Sequence, residues 1–155
     1  MSTMSPNFLT GSCLCKNITY RIDLPKSEPY PNPYHQLVIC HCINCKRYTG
    51  SGFSTNIVVS QSSFTYTSGQ PKLFLDRSDN GNHVRREFCP DCGTPFTSQS
   101  STGDDVAVKS GTLDEQCRLQ CANLTTEIYY HRKDAWVDEI GNDKVQKLNG
   151  SMGNS

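Results

Sequence analysis

Residues 38–52 read VICHCINCKRYTGSG, and the segment Cys40-His41-Cys42-Ile43-Asn44-Cys45 inside them places three cysteines within six positions. Cysteines at this density are typical of a zinc site. A structural zinc site has four protein ligands, whereas a catalytic one often has three and an exchangeable fourth position. The origin of the fourth ligand therefore separates a protein that zinc only stabilises from a zinc enzyme.

The composition indicates one small domain whose core needs additional stabilisation. The chain has 155 residues, of which 35% are hydrophobic and 19% charged, both below the usual share for a globular domain. Nine cysteines can supply the missing stabilisation. Lys and Arg together number 15, as do Asp and Glu, so we expect no nucleic-acid partner and no anionic membrane.

The cysteines also bear on the expected cellular location. The first twelve residues, MSTMSPNFLTGS, have neither the basic start nor the apolar stretch of a secretory signal. No apolar run approaches the roughly 18 residues that a membrane helix needs. We therefore expect a cytoplasmic protein, because a reducing compartment favours metal thiolates over disulfides.

Short runs rich in Ile, Val, Thr, Tyr and Phe predict strands, since Gly, Pro, Asn, Asp or Ser bound each of them. Leu113, Cys117 and Cys121 recur every four residues and predict one short helix over 114–123. The expected fold is mainly β, a small single domain of coiled antiparallel sheets with few short helices. The predicted strands cover 17–22, 35–39, 54–60, 63–68, 72–75, 83–88, 105–111 and 126–131.

The predicted organisation has one folded unit between two flexible ends. Residues 11–141 form the zinc domain, residues 1–10 are a flexible N-terminus, and residues 142–155 are a flexible C-terminal tail. Residues 24–34, LPKSEPYPNPY, contain four prolines and predict an irregular loop.

Seven of the nine cysteines occur in close groups. Cys42 with Cys45, and Cys89 with Cys92, have the C-x-x-C spacing of zinc knuckles, and Gly93 permits a positive φ just after the second pair. The Cys-x-Cys pairs, Cys13/Cys15 and Cys40/Cys42, need a bent backbone, because residues i and i+2 of a flat strand stand about 7 Å apart.

Two assignments of the ligands are compatible with these spacings. In one, the two C-x-x-C pairs form a single four-cysteine site and Cys13, Cys15 and Cys40 are spare. In the other, Cys13 and Cys15 join Cys89 and Cys92, which leaves a second site with three thiolates. The second assignment leaves fewer idle thiols, which are oxidation liabilities, but spacing alone does not decide between them.

The chain resembles the glutathione-dependent formaldehyde-activating enzyme family, which also includes centromere protein V. The resemblance spans roughly residues 11–137 and rests on ordered cysteine motifs. These motifs are Gly11-Ser-Cys13-Leu-Cys15-x-x-Ile18-x-Tyr20, Cys40-His-Cys42-x-x-Cys45-x-Arg47-x-x-Gly50, Arg86-x-Phe88-Cys89-x-x-Cys92-Gly93-Thr94, Ser110-Gly111-Thr112-Leu113-Asp114, and Ile128-Tyr129 followed by Ala135-Trp136.

This resemblance implies the second assignment and a specific chemistry. Cys13, Cys15, Cys89 and Cys92 would hold a structural Zn²⁺, and Cys40, Cys42 and Cys45 a catalytic Zn²⁺ with one exchangeable position. Glutathione would be the co-substrate, joined to formaldehyde as S-(hydroxymethyl)glutathione, which makes the protein a zinc-dependent carbon–sulfur lyase or synthase. A related small-molecule biosynthetic substrate is an alternative within the same chemistry.

Several polar residues next to the cysteines are candidates for supporting roles. Arg47 could balance thiolate charge or bind a glutathione carboxylate, and Thr49 and Gly50 could line the pocket; a solvated turn explains all three equally well. His41 should point away from its cysteine neighbours and support the site rather than ligate. Arg86 could offset the charge of a four-thiolate zinc.

The expected partner is a small-molecule thiol substrate. A homodimer is one oligomeric state that the sequence allows. The opposing hypothesis is a non-catalytic binding module on a zinc scaffold, and the chain lacks the basic tail or stripe that a chromatin-binding module would use. A purely structural protein with one zinc is the third alternative.

Overall fold

The computed structural model describes residues 7–25, 36–78 and 81–152, which fold into two β-sheets with two short α-helices. The mainly β fold predicted from the sequence is confirmed. The proline-rich stretch at 24–34 lies almost entirely outside the described residues.

The smaller sheet has three strands: β1 (Phe8–Ser12), β2 (Thr19–Asp23) and β5 (Phe64–Ser68). The larger sheet comprises β3 (Gln36–Cys40), β4 (Ser54–Ser60), β6 (Lys72–Arg77), β7 (His83–Phe88), β8 (Pro95–Ser100), β9 (Asp105–Lys109), β10 (Asn123–Ile128) and β11 (Gln146–Lys147). Its spatial order is β11-β10-β3-β4-β9-β8-β7-β6, and the order of the smaller sheet is β1-β2-β5. The helices are α1 (Ile43–Thr49) and α2 (Glu115–Gln120).

Every predicted strand and the predicted helix are present, β4 and β7 with the predicted ends and the others with shifted ends. The sequence did not predict β1, β8, β11 or α1. β1 lies partly within the expected flexible N-terminus, and its Leu9 is fully buried. β11 lies within the expected flexible tail, where its pairing with β10 holds it. Neighbouring strands rather than local pattern stabilise these short segments.

The larger sheet is not purely antiparallel. β10 runs parallel to β3, and β11 runs parallel to β10, whereas the remaining neighbours in both sheets are antiparallel. Parallel neighbours need a long connection, and most of the domain lies between β3 and β10 along the chain. This arrangement places the end of β10 beside Cys40, at the end of β3.

The core lies between the two sheets. Tyr20 of β2 and Tyr66 of β5 each meet the ring of Phe96 from β8 edge-on, at centroid distances of 5.8 and 5.7 Å. Val106 and Val108 of β9 also face this core, because alternate residues of a strand point to opposite faces. The other face of the larger sheet is therefore free to carry polar side chains.

Replacing Phe96 with Ala should lower the free energy of unfolding by about 3–5 kcal/mol, because it leaves a cavity among the packed rings. Denaturant unfolding of the metal-loaded protein measures this loss. Leu119→Ala is the matched control, since Leu119 is exposed and its loss should change stability by less than about 0.5 kcal/mol. Equal effects of the two substitutions would contradict this account of the core.

Candidate functional site

Four cysteine sulfurs converge where the two sheets meet. Cys13 and Cys15 lie in the turn after β1, and Cys89 and Cys92 lie in the turn between β7 and β8. The Sγ atoms of Cys13 and Cys15 are 3.5 Å apart, those of Cys15 and Cys89 are 3.8 Å apart, and all four lie within 4.8 Å of one another. The cluster therefore links the smaller sheet to the larger one.

Local backbone geometry brings these sulfurs together. Gly93 has the positive φ of 76° that the sequence predicts, and its N–H donates to the carbonyl oxygen of Cys89 at 2.9 Å. The Leu14 N–H donates to the Thr94 hydroxyl at 3.0 Å and so joins the two turns. A hydrogen bond with the same hydroxyl lowers the pKa of Cys92 to about 5, which favours its thiolate.

Three further sulfurs converge at the junction of β3 and α1. Cys40 ends the strand, Cys42 is the N-cap of the helix, and Cys45 lies in its first turn. The Cys42 sulfur accepts a hydrogen bond from the Cys45 N–H at 3.2 Å. The change from strand to helix supplies the bend that the Cys-x-Cys pair requires, and all three Sγ atoms lie within 4.8 Å of one another.

Both clusters fit a zinc ion. A tetrahedral zinc with Zn–S bonds of about 2.3 Å separates its sulfurs by about 3.8 Å, close to the distances between the sulfurs here. The first cluster could fill all four positions of such an ion. In residues 7–25, 36–78 and 81–152, no His, Asp, Glu or further Cys joins the second cluster, so it could fill three.

Two buried cations lie beside the three-sulfur cluster. Arg86 of β7 donates from Nη1 to the Cys45 sulfur at 3.9 Å and to the Ser98 hydroxyl at 2.9 Å. Lys109 of β9 donates from Nζ to Asn56 Oδ1 at 2.7 Å and to the same Ser98 hydroxyl at 3.0 Å. The side chain of Arg86 therefore lies at the three-sulfur cluster. The sequence-based hypothesis that Arg86 offsets the charge of the four-cysteine cluster is wrong.

This environment favours negative charge on one sulfur of the three-sulfur cluster, that of Cys45, whereas the pKa values of Cys40 and Cys42 are raised. Hydrogen bonds from the Cys40 and Cys42 thiols hold the pKa of Cys45 well below its usual range. The positive charges of Lys109 and Arg86 act in the same direction. Burial lowers the pKa of Lys109, whereas the neighbouring thiolates oppose that shift.

A cavity of about 290 Å³ opens on the three-sulfur cluster, on the face of the larger sheet opposite the core. Its volume is at the small end of the range for ligand pockets. Polar groups at the cluster include Asn44, Asn56, Arg86, Ser98 and Lys109. The other walls are mainly aliphatic, from Val38, Val58, Val84, Ala107, Ile128 and Met152.

His41 and Glu127 form a buried pair on the other side of the cysteine segment. His41 Nε2 lies 2.8 Å from Glu127 Oε1, and both side chains are almost fully inaccessible to solvent. The His41 ring packs edge-on against Phe53 and Tyr130. His41 is not among the residues that converge in the sulfur cluster, in agreement with the sequence-based interpretation.

Arg47, Thr49 and Gly50 do not line the cavity. Arg47 is exposed and borders a neighbouring cleft that shares Asn44 and Arg86 with the cavity lining. The Thr49 hydroxyl donates to the Cys45 carbonyl within α1, and Gly50 ends that helix at a positive φ of 65°. Their roles in binding glutathione therefore stay predictions.

Sequence reasoning missed Lys109, Asn56 and Glu127. Lys109 directly precedes the Ser110-Gly111-Thr112-Leu113-Asp114 motif, and its place in an alternating strand is a usable signal: Val106 and Val108 face the core, so Lys109 faces the cavity. Asn56 carries the same signal, because Ile57 and Val59 of β4 face the core. Glu127 carries no such signal, because its partner His41 lies 86 positions away in the chain.

The fold and the site define a β-rich domain with two convergent cysteine clusters, one of four sulfurs and one of three, each of which could hold a metal ion. The chain belongs to the glutathione-dependent formaldehyde-activating enzyme family, whose model matches residues 8–132. This match confirms the resemblance that the cysteine motifs indicate.

A solved structure agrees with the fold. The crystal structure of a Rhodobacter sphaeroides protein, determined as a structural genomics target, matches with a TM-score of 0.52 and 20% sequence identity. The match covers 68% of this chain and 88% of that one, and at this identity it supports the fold alone. A comparison with curated proteins finds no match.

We expect the metal-loaded protein to contain two zinc ions per chain. Cys42→Ser should reduce zinc content by about one ion and preserve the fold, whereas Cys92→Ser should destabilise the whole domain by loosening the link between the sheets. Metal analysis combined with thermal unfolding measures both effects. Cys121→Ala, which lies outside both clusters, should retain two zinc ions. A single zinc in the wild type would contradict the assignment.

Glu127→Ala should lower the free energy of unfolding by about 1–3 kcal/mol, because it leaves the buried His41 ring without its hydrogen-bond partner. Denaturant unfolding measures the loss, with the exposed Asp138→Ala as a control for removing an acidic side chain. A loss no larger than that of the control would show that the pair does not stabilise the fold.

Proposed function

We propose that this protein is a zinc-dependent carbon–sulfur lyase that forms or cleaves the thiol adduct of a small aldehyde. S-(hydroxymethyl)glutathione, with glutathione as co-substrate, is the adduct that the family's name supplies. The single observation that carries the proposal is the position of the three-sulfur cluster, at one end of a cavity and without a fourth ligand among the described residues.

The three cysteines would hold the catalytic zinc. Zinc bound there would supply a Lewis acid with one exchangeable position suited to a thiolate sulfur. Arg86, 3.9 Å from the Cys45 sulfur, would offset part of the negative charge that the cysteine thiolates and an incoming thiolate bring together.

Lys109 would act on the oxygen of the aldehyde. Its ammonium has three N–H donors, of which Asn56 and Ser98 accept two, so one remains for a ligand in the cavity. When the thiolate sulfur attacks the carbonyl carbon, a C–S bond forms and the C=O π electrons move to oxygen. The Lys109 ammonium would donate a proton to this oxygen, giving the hydroxymethyl group, and would accept it back when the adduct is cleaved.

The four-cysteine cluster would hold a structural zinc. Its four sulfurs leave no position for a substrate, and they connect turns that belong to different sheets. Such an ion would contribute directly to folding stability.

All nine cysteines are free thiols, which supports a reducing, cytoplasmic location. Neither helix in the described part of the chain is long and apolar enough to cross a membrane.

The zinc-loaded wild type should accelerate exchange between free formaldehyde and S-(hydroxymethyl)glutathione, measured by exchange NMR. Cys42→Ser should abolish the acceleration, because it removes a ligand of the proposed catalytic zinc while the four-cysteine cluster stays intact. No acceleration with glutathione or with any other thiol would reject the lyase proposal. Acceleration that survives in Cys42→Ser would place the chemistry elsewhere.

Lys109→Met should lower the exchange rate by about 10²–10³-fold, because it removes the proton donor at the aldehyde oxygen. The same NMR measurement reports the rate, and metal analysis should still find two zinc ions. Lys144→Met is the matched control, since Lys144 is exposed and does not line the cavity. A rate within a few-fold of the wild type would remove Lys109 from the mechanism.

A further inference from the structure

The carboxyl-terminal segment, residues 148–152, forms part of the cavity wall although it lies outside the stretch that matches the family model. Ser151 and Met152 line the cavity beside Ile128 and Tyr129 at the end of β10. Met152 is 44% exposed and therefore lies at the mouth of the cavity. Ser151 and Met152 therefore belong to a part of the chain that the family match does not include.

Backbone hydrogen bonds hold this segment in place. The Leu148 N–H donates to the Glu127 carbonyl at 2.9 Å, and the Tyr130 N–H donates to the Leu148 carbonyl at 2.9 Å. The Tyr129 N–H donates to the Gly150 carbonyl at 3.2 Å, immediately before Ser151. The residues just before this segment are also held in place, because β11 pairs with β10 and the side chain of Val145 is buried. Ser151 and Met152 are therefore attached to a fixed element.

The charged groups of the cavity are poorly arranged for a ligand with several charges. Arg86 is engaged by Asp76, through Nε at 2.7 Å, and by Ser98. Lys109 has one N–H left, which the proposed reaction uses. The other charged lining residue is Asp105, whose carboxylate repels an anion.

Apart from these charged groups, the lining of the cavity is largely aliphatic. Val38, Val58, Val84, Ala107, Ile128 and Met152 contribute six aliphatic side chains to a cavity of about 290 Å³. Transfer of an apolar group from water into such a space is favourable, whereas an ionised carboxylate without a partner is strongly disfavoured there. Glutathione has two carboxylates and an ammonium group on its body, and both cations of the described lining, Arg86 and Lys109, already bind neighbouring protein groups.

We propose that Ser151 and Met152, with Ile128, form the specificity wall of the site and select thiols whose body is apolar over glutathione. This inference rests on the proposed lyase function and makes an apolar thiol, in place of glutathione, the preferred co-substrate of that reaction. The sulfur would reach the three-cysteine end of the cavity, and the apolar body would contact Met152 at the mouth.

The test measures thiol binding to the zinc-loaded protein by isothermal titration calorimetry, with phenylmethanethiol and glutathione as probes. The wild type should bind phenylmethanethiol at least tenfold more tightly than glutathione. Met152→Asp should weaken phenylmethanethiol binding about tenfold or more and leave glutathione binding within a few-fold. Met152→Leu should retain the wild-type preference, because it preserves the apolar contact.

Leu119→Asp is the matched control, since Leu119 is also exposed and apolar but does not line the cavity. Its binding of both thiols should equal that of the wild type. Metal analysis and thermal unfolding of each variant establish that zinc content and fold are retained.

Glutathione binding as tight as phenylmethanethiol binding, or a Met152→Asp variant with unchanged affinities, would overturn the specificity wall. If such a protein still exchanges formaldehyde with a thiol, the lyase function stands and only the inference fails. If neither thiol binds better to the wild type than to Cys42→Ser, the proposed function fails, and the specificity wall fails with it.

Discussion

The convergence of cysteine sulfurs is the constraint on which the rest of this structure depends. Sulfurs that share one metal must approach to about 3.8 Å, and this distance leaves little freedom to the backbone that carries them. One cluster joins the turn after β1 to the turn between β7 and β8, so it sets how the two sheets meet. A domain of 155 residues with a modest apolar content can maintain two packed sheets with such a link.

The short distances between sulfurs constrain the second cluster as well, but there they shape a single segment of the chain. Its three sulfurs come from one continuous segment that changes from strand to helix, so they hold no distant elements together. The neighbouring strands supply the charged and polar side chains that surround the sulfurs. β7, β8 and β9 bring Arg86, Ser98 and Lys109 into one hydrogen-bonded group beside it. The two buried cations, Arg86 and Lys109, offset negative charge on the Cys45 sulfur that would be costly to bury alone.

The two faces of the larger sheet explain how stability and chemistry coexist in so small a domain. Strand alternation directs Val106 and Val108 to the core, and Ala107 and Lys109 to the cavity. The core face needs close packing, and the cavity face needs polar groups at one end and space at the other. A single strand serves both requirements because its side chains alternate.

The sequence by itself determined the mainly β fold, the short helix near Cys117, the family and the seven cysteines of the clusters. These follow from local composition and from spacings along the chain. Only the tertiary structure decided the grouping of the sulfurs by geometry, the neighbours of Lys109 and Arg86, the pairing of His41 with Glu127, and the packing of residues 145–152 against β10. The physical reason is that these contacts, apart from those within the segment Cys40–Cys45, join residues that are not neighbours in the chain. Sheet order brings them together, and short-range patterns do not encode sheet order.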